Sequence, residues 1–506
     1  MKYWTREESK ERFPKAITPL GWSLLQVPLE ATMAQMSKTF GVKNYHTWDL
    51  LLWKDNYVYS RKDFFKSFRH LQFNFQQLFK MISSVLKCGF RTLFSWKEKG
   101  KFKDRFLVRV FYALFEAQVK DLVERWPEEK LNLKKIMGRD FHLGEISSLD
   151  YEKFIQIKNQ MQADSRVFFA EDFNVYFLKK LLFELMKSQL MSAGLSQEKA
   201  EVLITGLTYG QKDNFSVQMA RDFQNANLST EELKQRYGHL TDNWDLFAPT
   251  FGESEEFWSL RKIPRLNSTR AANEKEEIVK LLDWNKKIEE MISWFESLVI
   301  IDEDLRAYSS LQYPQARKLM ALVEQSAPYK ELIVKENSVY FLDLIEIEHA
   351  LRKKDFHPYF DLIASRRKAF EKALTFSPPF EYLQHENGKF EEIKKLESNG
   401  QALNGQCVSH GLVSGEILVV HGLENISRIN KQTIIVLASA TPVYSPLYAL
   451  CGGIISEMGG QLSHGAIVAR EFGIPMLTGV ENACAILKNG QSVILDADQG
   501  VVKVQS

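Results

Sequence analysis

Along the first 395 or so positions, apolar residues recur three and four apart. Phe177, Leu178, Leu181, Leu182, Leu185 and Met186 form one such stripe, and Ile278, Leu281, Leu282, Trp284, Ile288, Met291, Ile292 and Trp294 form another. That spacing predicts amphipathic helices packed against one another. Past residue 395 the period changes. Short Val- and Ile-rich runs separated by glycine (GEILVV, QTIIVLA, GGIISE, PMLTG, QSVILDA, GVVKV) predict strands, with AIVAREF and ENACAIL as short helices between them. The expected fold class is an α+β multidomain chain. A large, mainly α-helical domain covers 1–395, the polar stretch LESNGQALNG (396–405) is the linker, and a small α/β domain covers 406–506.

A chain of 506 residues exceeds one hydrophobic core, in line with several domains. Hydrophobic residues at 45% and charged residues at 26% exclude a disordered or collagen-like protein. Sixty-six basic against sixty-four acidic side chains leave a net +2, so no global affinity for polyanions follows. Aromatics at 12%, led by 35 Phe, call for large cores or an enclosed apolar pocket. Cys88, Cys407, Cys451 and Cys484 show no CxxC spacing and read as reduced thiols. MKYWTREESKERFPK has charge where a signal peptide needs an apolar run, and no stretch of eighteen apolar residues occurs. A cytoplasmic protein without a transmembrane segment is expected. Residues 61–109 hold thirteen Lys or Arg against three acids, interleaved with Phe and Trp. The expectation there is a helical hairpin with its aromatics inside. No zinc-finger or RNA-recognition signature points to a nucleic-acid partner.

Chemistry concentrates in GGIISEMGGQLSHGAIVAREFGIPMLTG (452–479). The pattern predicts a strand over Gly453–Glu457, a turn at Gly459–Gly460, and a helix opened by Ser463–His464 and running through Arg470 and Glu471. A helix N-terminus presents unpaired N–H groups and favours an anion. An imidazole placed there can act as a nucleophile towards phosphorus. Helix, glycine turn and exposed histidine together describe a phosphohistidine site with His464 as the expected catalytic residue, whereas the bare tripeptide would give only a capping Ser463 beside a solvated histidine. Gly459, Gly460 and Gly465 are expected to give backbone access to a phosphoryl group, and Ser463 to cap the helix or donate to phosphate. Arg470 is expected to pair with Glu471 or to meet another domain. Ser409–His410–Gly411 repeats the tripeptide without a glycine pair before it and reads as a turn ahead of a hairpin.

GGQLSHGAIVAREFGIPMLTG closely resembles the swivelling phosphohistidine domain of phosphoenolpyruvate-utilising enzymes, a family that includes phosphoenolpyruvate synthase and the rifampicin phosphotransferases. ILVVHGLENISRINKQTIIVLASATPVYSPLYALCGGIISE upstream and NGQSVILDADQGVVKV downstream extend the resemblance. It implies that His464 is phosphorylated and carries phosphate from an ATP-grasp site to a distant acceptor. KAITPLGWSLLQVPLE (15–30) and RYGHLTDNWDLFAPTFGE (236–253) resemble, more weakly, segments of the rifampicin phosphotransferase-like helical domain. In the second segment Leu240 and Asn243–Trp244 depart from the family pattern, while His239, Asp245 and Glu253 remain as candidate acceptor-site groups.

No ATP-grasp stretch is recognised ahead of residue 15. Gly100–Lys101 and Gly388–Lys389 each lack the first glycine of a GxxxxGK loop. ATP and Mg²⁺ are accordingly expected on a separate ATP-grasp partner, with no cofactor or metal held by this chain. The expected function is a phosphotransferase subunit that relays phosphate through His464 to a small-molecule acceptor in the helical domain. The alternative is a catalytically inactive ligand-binding or regulatory module that keeps the family fold.

Overall fold

The structure, a computed structural model, describes residues 2–5, 16–24, 51–61, 102–208, 214–225, 227–241, 245–259, 286–326, 337–374, 381–392, 402–422, 426–441, 444–461 and 463–505, with isolated residues between them. Strands β1 (Lys2–Thr5), β2 (Leu51–Lys54) and β3 (Tyr57–Arg61) precede the helices α1 (Phe102–Met137), α2 (Tyr151–Ser192), α3 (Gln197–Gly206), α4 (Phe215–Gln224), α5 (Thr230–Tyr237), α6 (Lys286–Tyr308), α7 (Tyr313–Gln325), α8 (Leu344–Lys353) and α9 (Phe360–Leu374). The Phe177–Met186 stripe falls in α2, where Leu178, Leu182 and Met186 are buried. The basic segment lies largely outside the described residues, and its end opens α1.

The helical region also contains a sheet. β4 (Glu381–Gln384) and β5 (Phe390–Glu392) join the first three strands in the order β2-β3-β1-β4-β5. Each described pairing is antiparallel, and β1 lies between β3 and β4. The expectation of a mainly α-helical domain did not include it. Its strands are three to five residues long, too short to show a period against the helical background. Asp55 and Asn56, at φ 53° and 66°, form the tight turn between β2 and β3.

Three consecutive acids in α6 tie the helices together. Asp302, Glu303 and Asp304 are all buried. Asp302 meets Lys179 of α2 at 2.5 Å, Glu303 accepts from Ser216 Oγ of α4 at 2.6 Å, and Asp304 meets Lys130 of α1 at 2.8 Å. The second of these bonds fixes the start of α4, the helix on which the C-terminal domain rests.

That domain comprises β6 (Ala402–Asn404), β7 (Gln406–Ser409), β8 (Leu412–Val420), β9 (Thr433–Ser439), α10 (Ser445–Tyr448), β10 (Gly453–Met458), α11 (His464–Phe472), β11 (Met476–Thr478), α12 (Ala483–Ile486), β12 (Ser492–Asp496) and β13 (Val501–Val504). Its eight-stranded sheet has the order β6-β13-β12-β8-β9-β10-β11-β7, parallel from β8 to β11. Strands covered on both faces read as unbroken apolar runs, as TIIVLA does. Ile434, Val436 and Ile455 pack with Ala483 and Leu487 on one face. Ile435, Leu437 and Ile454 face the other way, into a cluster that contains Ala466 and Ile467 of α11, Leu447 and Tyr448 of α10, and Val217, Ala220 and Phe223 of α4.

Two local expectations need correction. Residues 402–404 of the expected linker are strand β6, paired with β13, because Leu403 buries against the domain core. Ser409–Gly411 is a turn, but no hairpin follows it, since β8 runs parallel to β9. β7 pairs with β11 at the sheet edge while β8 lies between β12 and β9. His410 Nδ1 bonds Asp498 at 2.8 Å, and Gly411 at φ 137° makes the corner. Among the described residues no helix is long and apolar enough to cross a membrane.

Candidate phosphohistidine site

β10 delivers the glycine turn to the carboxyl end of the parallel strands. Gly459 leaves the strand at φ 125°, a conformation that L side chains rarely adopt. Its carbonyl accepts from Thr478 Oγ1 at 2.9 Å, and Ser463 N donates to the Gly460 carbonyl at 3.0 Å. The turn closes directly onto α11, of which His464 is the first residue.

The three glycines grouped by the sequence reading do different things. A Cβ on Gly459 would stand 3.1 Å from both Ser463 Oγ and Thr478 Oγ1, whereas one on Gly460 would meet nothing within 4 Å. One on Gly465 would lie 2.3 Å from Ala440 Cβ and 3.1 Å from Tyr448 Oη. The Gly465 amide donates to the Ala440 carbonyl at 3.1 Å, so in this arrangement it is not open to a phosphoryl oxygen. Gly465 is a close-packing glycine.

Ser463 occupies the cap position at φ −68°, ψ 153°, yet its hydroxyl makes no capping bond. At five other helix starts, Asp150, Ser196, Asn214, Ser229 and Asp343 each accept from a first-turn amide. Ser463 is buried, and Oγ has no hydrogen-bond partner. Two more buried hydroxyls in the same neighbourhood also lack partners: Thr441 Oγ1, one residue past Ala440, and Tyr448 Oη, beside Gly465. An unsatisfied buried hydroxyl costs about 1–3 kcal/mol, and most buried polar atoms are paired. All three belong to segments that meet at or next to the start of α11. The sequence reading singled out neither Thr441 nor Tyr448. Their signal was weak: two hydroxyl residues in ATPVYSPLYAL, between two buried strands.

Arg470 does not pair with Glu471. Its guanidinium is buried and donates to three carbonyls: Ala466 on its own helix at 3.0 Å, Gln461 in the glycine turn, and Thr205 of α3 at 2.9 Å. Glu471 instead meets Arg221 of α4 at 2.5 Å. Gln461 reaches α3 as well, accepting from Thr205 Oγ1 at 3.3 Å. The turn that carries His464 thus sits against the helical domain.

The acceptor candidates are all engaged in packing. His239 Nε2 bonds the Ala307 carbonyl at 3.1 Å, and burial lowers its pKa to about 4. Asp245 accepts from Thr18 N, from Thr18 Oγ1 at 2.8 Å and from Phe247 N at 3.0 Å, and burial raises its pKa. This carboxylate joins the two helical-domain segments that carry the weaker resemblance. Glu253 accepts from Thr250 N at 2.7 Å and Arg317 Nη2 at 2.9 Å; burial pushes its pKa up, but these bonds hold it below the usual range. Asp245 and Glu253 both face Arg317, whereas His239 bonds the Ala307 carbonyl.

A cavity of about 90 Å³ lies beside Asp245, among Gly21, Leu246, Phe169, Tyr313, Met320 and Gln312. Gln312 accepts from Ser165 at 2.9 Å through Oε1, while its buried Nε2 has no partner. Elsewhere, Gly388 is a hairpin-turn residue at φ 79° between β4 and β5, not part of a phosphate loop. Among the described residues no group of three His, Cys, Asp or Glu is placed to hold a metal ion.

Residues 429–500 match the family described as the PEP-utilising enzyme, mobile domain. The rifampicin phosphotransferase of Bacillus subtilis is 25% identical over 206 residues, covering 38% of this chain and 23% of that protein. A probable phosphoenolpyruvate synthase of Archaeoglobus fulgidus is 32% identical over 127 residues, 25% of this chain and 17% of that one. The prodigiosin synthesizing transferase PigC of Serratia marcescens is 36% identical over 104 residues, 20% and 12% of the two chains. Each match spans less than a quarter of the relative's length. The matched residues 429–500 lie wholly within the C-terminal α/β domain, and the fold is the mixed α+β arrangement expected.

Proposed function

We propose that this chain is a phosphotransferase subunit in which His464 relays a phosphoryl group. An imidazole nitrogen attacks a nucleotide phosphorus supplied by a separate Mg²⁺-dependent ATP-grasp protein. The P–O bond to the nucleotide breaks as the P–N bond forms. A hydroxyl of a small-molecule acceptor then attacks the same phosphorus, the P–N bond breaks, and the acceptor's proton is released to the imidazole or to solvent. This chain's own contribution is to hold the phosphoryl group at the start of α11 and to present it to the helical domain.

One observation carries the reading: the helix that begins with His464 is capped by a buried serine whose hydroxyl makes no capping bond. A serine that merely capped the helix would bond a first-turn amide, as Ser196 and Ser229 do at the starts of α3 and α5. The relatives support it through their names, rifampicin phosphotransferase and phosphoenolpyruvate synthase. On the acceptor side, the cavity lined by Phe169, Tyr313 and Gln312 suits an apolar group carrying a hydrogen-bond acceptor for Gln312 Nε2.

The test is incubation with ATP labelled at the β or γ phosphate, with and without lysate of the source cells, beside His464→Ala. Acid-labile, base-stable label that requires lysate and is lost in the variant is the expected result. Label without lysate would place a nucleotide site on this chain. No label in any arm would leave the ligand-binding module as the better reading.

A further inference from the structure

Tyr448 is the last residue of α10 and is fully buried where α10 meets α4 and α11. Its ring has a reason to be there: it packs in the cluster shared with Leu447, Ala466 and Val217. Its hydroxyl does not. Oη has no hydrogen-bond partner, and phenylalanine would fill nearly the same space without stranding a donor. A Cβ on Gly465 would stand 2.3 Å from Ala440 Cβ and 3.1 Å from Tyr448 Oη, so the absent side chain lets both Ala440 and this hydroxyl lie against the first turn of α11. Ser463 Oγ, also buried and without a partner, lies on the same helix start. A donor stranded in one state of a protein is retained when another state takes it up.

We infer that Tyr448 is a phosphoryl-binding residue, its hydroxyl donating to the phosphoryl group carried by His464. This rests on the phosphohistidine reading above and goes beyond it in naming a donor outside the glycine–histidine motif. The phenol is suited to the part. Burial, with the adjacent Cys451 thiol, pushes its pKa well above the usual range, so it remains a protonated donor wherever the phosphoryl group is dianionic. The Cys451 thiol is itself pushed up to about 12 by burial, which keeps it neutral.

The experiment uses the full chain and potassium phosphoramidate, a small-molecule donor that phosphorylates imidazoles without a partner protein. Wild type, His464→Ala and Tyr448→Phe are labelled, freed of reagent, and followed for loss of phosphohistidine between pH 6 and 9. Unfolding of the unlabelled proteins is recorded alongside. Tyr448→Phe is expected to be at least as stable as wild type when unlabelled, because it removes a stranded hydroxyl. Its phosphohistidine is expected to hydrolyse about tenfold faster at every pH in that range, a loss of about 1.4 kcal/mol. Equal lifetimes in wild type and Tyr448→Phe would overturn the inference while leaving His464 in place. A wild type that takes no His464-dependent label would overturn the phosphohistidine reading, and this inference with it.

Discussion

The glycines of the turn offer a prediction whose size follows from geometry. Gly459, Gly460 and Gly465 are replaced by alanine one at a time. At Gly459 the φ of 125° is one that alanine adopts only under strain, and the new Cβ sits 3.1 Å from two hydroxyl oxygens. Strain of this kind costs about 1–3 kcal/mol. At Gly465 the Cβ would approach Ala440 Cβ to 2.3 Å, so α11 or the Ala440 loop must shift. Overpacking costs about 1–3 kcal/mol, less up to about 1 kcal/mol regained from alanine's better helix propensity. At Gly460 no atom lies within 4 Å, and the smaller conformational freedom of alanine in the unfolded chain adds about 0.4–1 kcal/mol of stability.

Amide hydrogen exchange over residues 453–478 measures this local opening without requiring the whole chain to unfold in one step. The expected order of protection is Gly460→Ala at or above wild type, with Gly465→Ala and Gly459→Ala below it. Phosphohistidine labelling of the same variants separates stability from access. Gly460→Ala is expected to keep its protection and lose labelling, because its methyl group enters the open side of the turn. If Gly460→Ala were as disruptive as Gly459→Ala, the assignment of distinct roles would be wrong. If it labelled like wild type, Gly460 would have no part in phosphate access.

Three further outcomes are expected. His239 is neutral in the fold, with its pKa lowered to about 4, while the unfolded chain takes up a proton near the ordinary 6.5. Its contribution is therefore full above pH 6.5 and is lost as pH falls from there to about 4, at up to roughly 1.4 kcal/mol per unit. Urea titrations at pH 7.5 and 5 should show a smaller acid loss for His239→Gln than for wild type, and equal losses would refute the burial argument. Arg221→Ala removes a partner of the buried Glu471. Because the Arg221 side chain is itself 35% exposed, the expected cost is about 1–3 kcal/mol, below that of a fully buried pair. Small-angle scattering should report a larger radius of gyration as the C-terminal domain leaves α4; an unchanged radius would show that the apolar contacts suffice. Arg470→Lys keeps the charge but not the fork that reaches three carbonyls. Exchange should quicken together in residues 459–462 and 203–208, and quickening in one segment alone would mean that Arg470 does not couple them.

The parts of this molecule that were legible in the sequence are those whose pattern has one physical cause. The apolar run TIIVLA is continuous because β9 is covered on both faces, and the α2 stripe repeats at helical spacing because one side of that helix is buried. The turn and helix around His464 were legible for the same reason, since paired glycines and a cap residue admit few backbones. The short strands of the N-terminal sheet were not legible, because β1 gains its partners from residues about 55 and 380 positions away, and no local pattern encodes that distance. His239, Asp245 and Glu253 were legible as polar groups in an apolar segment, but their bonds to Ala307, Thr18 and Arg317 were not, because those partners lie far off along the chain.

The hydroxyl of Tyr448 is the converse. By composition it was one more core aromatic, and what sets it apart is a partner it lacks. Patterns in a sequence report the contacts that burial and periodicity demand. A functional donor is held away from those contacts in the resting state, so it leaves no periodic trace. The turn and the helix that starts at His464 therefore show in the pattern of the chain, whereas the unpartnered hydroxyls of Ser463, Thr441 and Tyr448 show only in the hydrogen bonds of the fold.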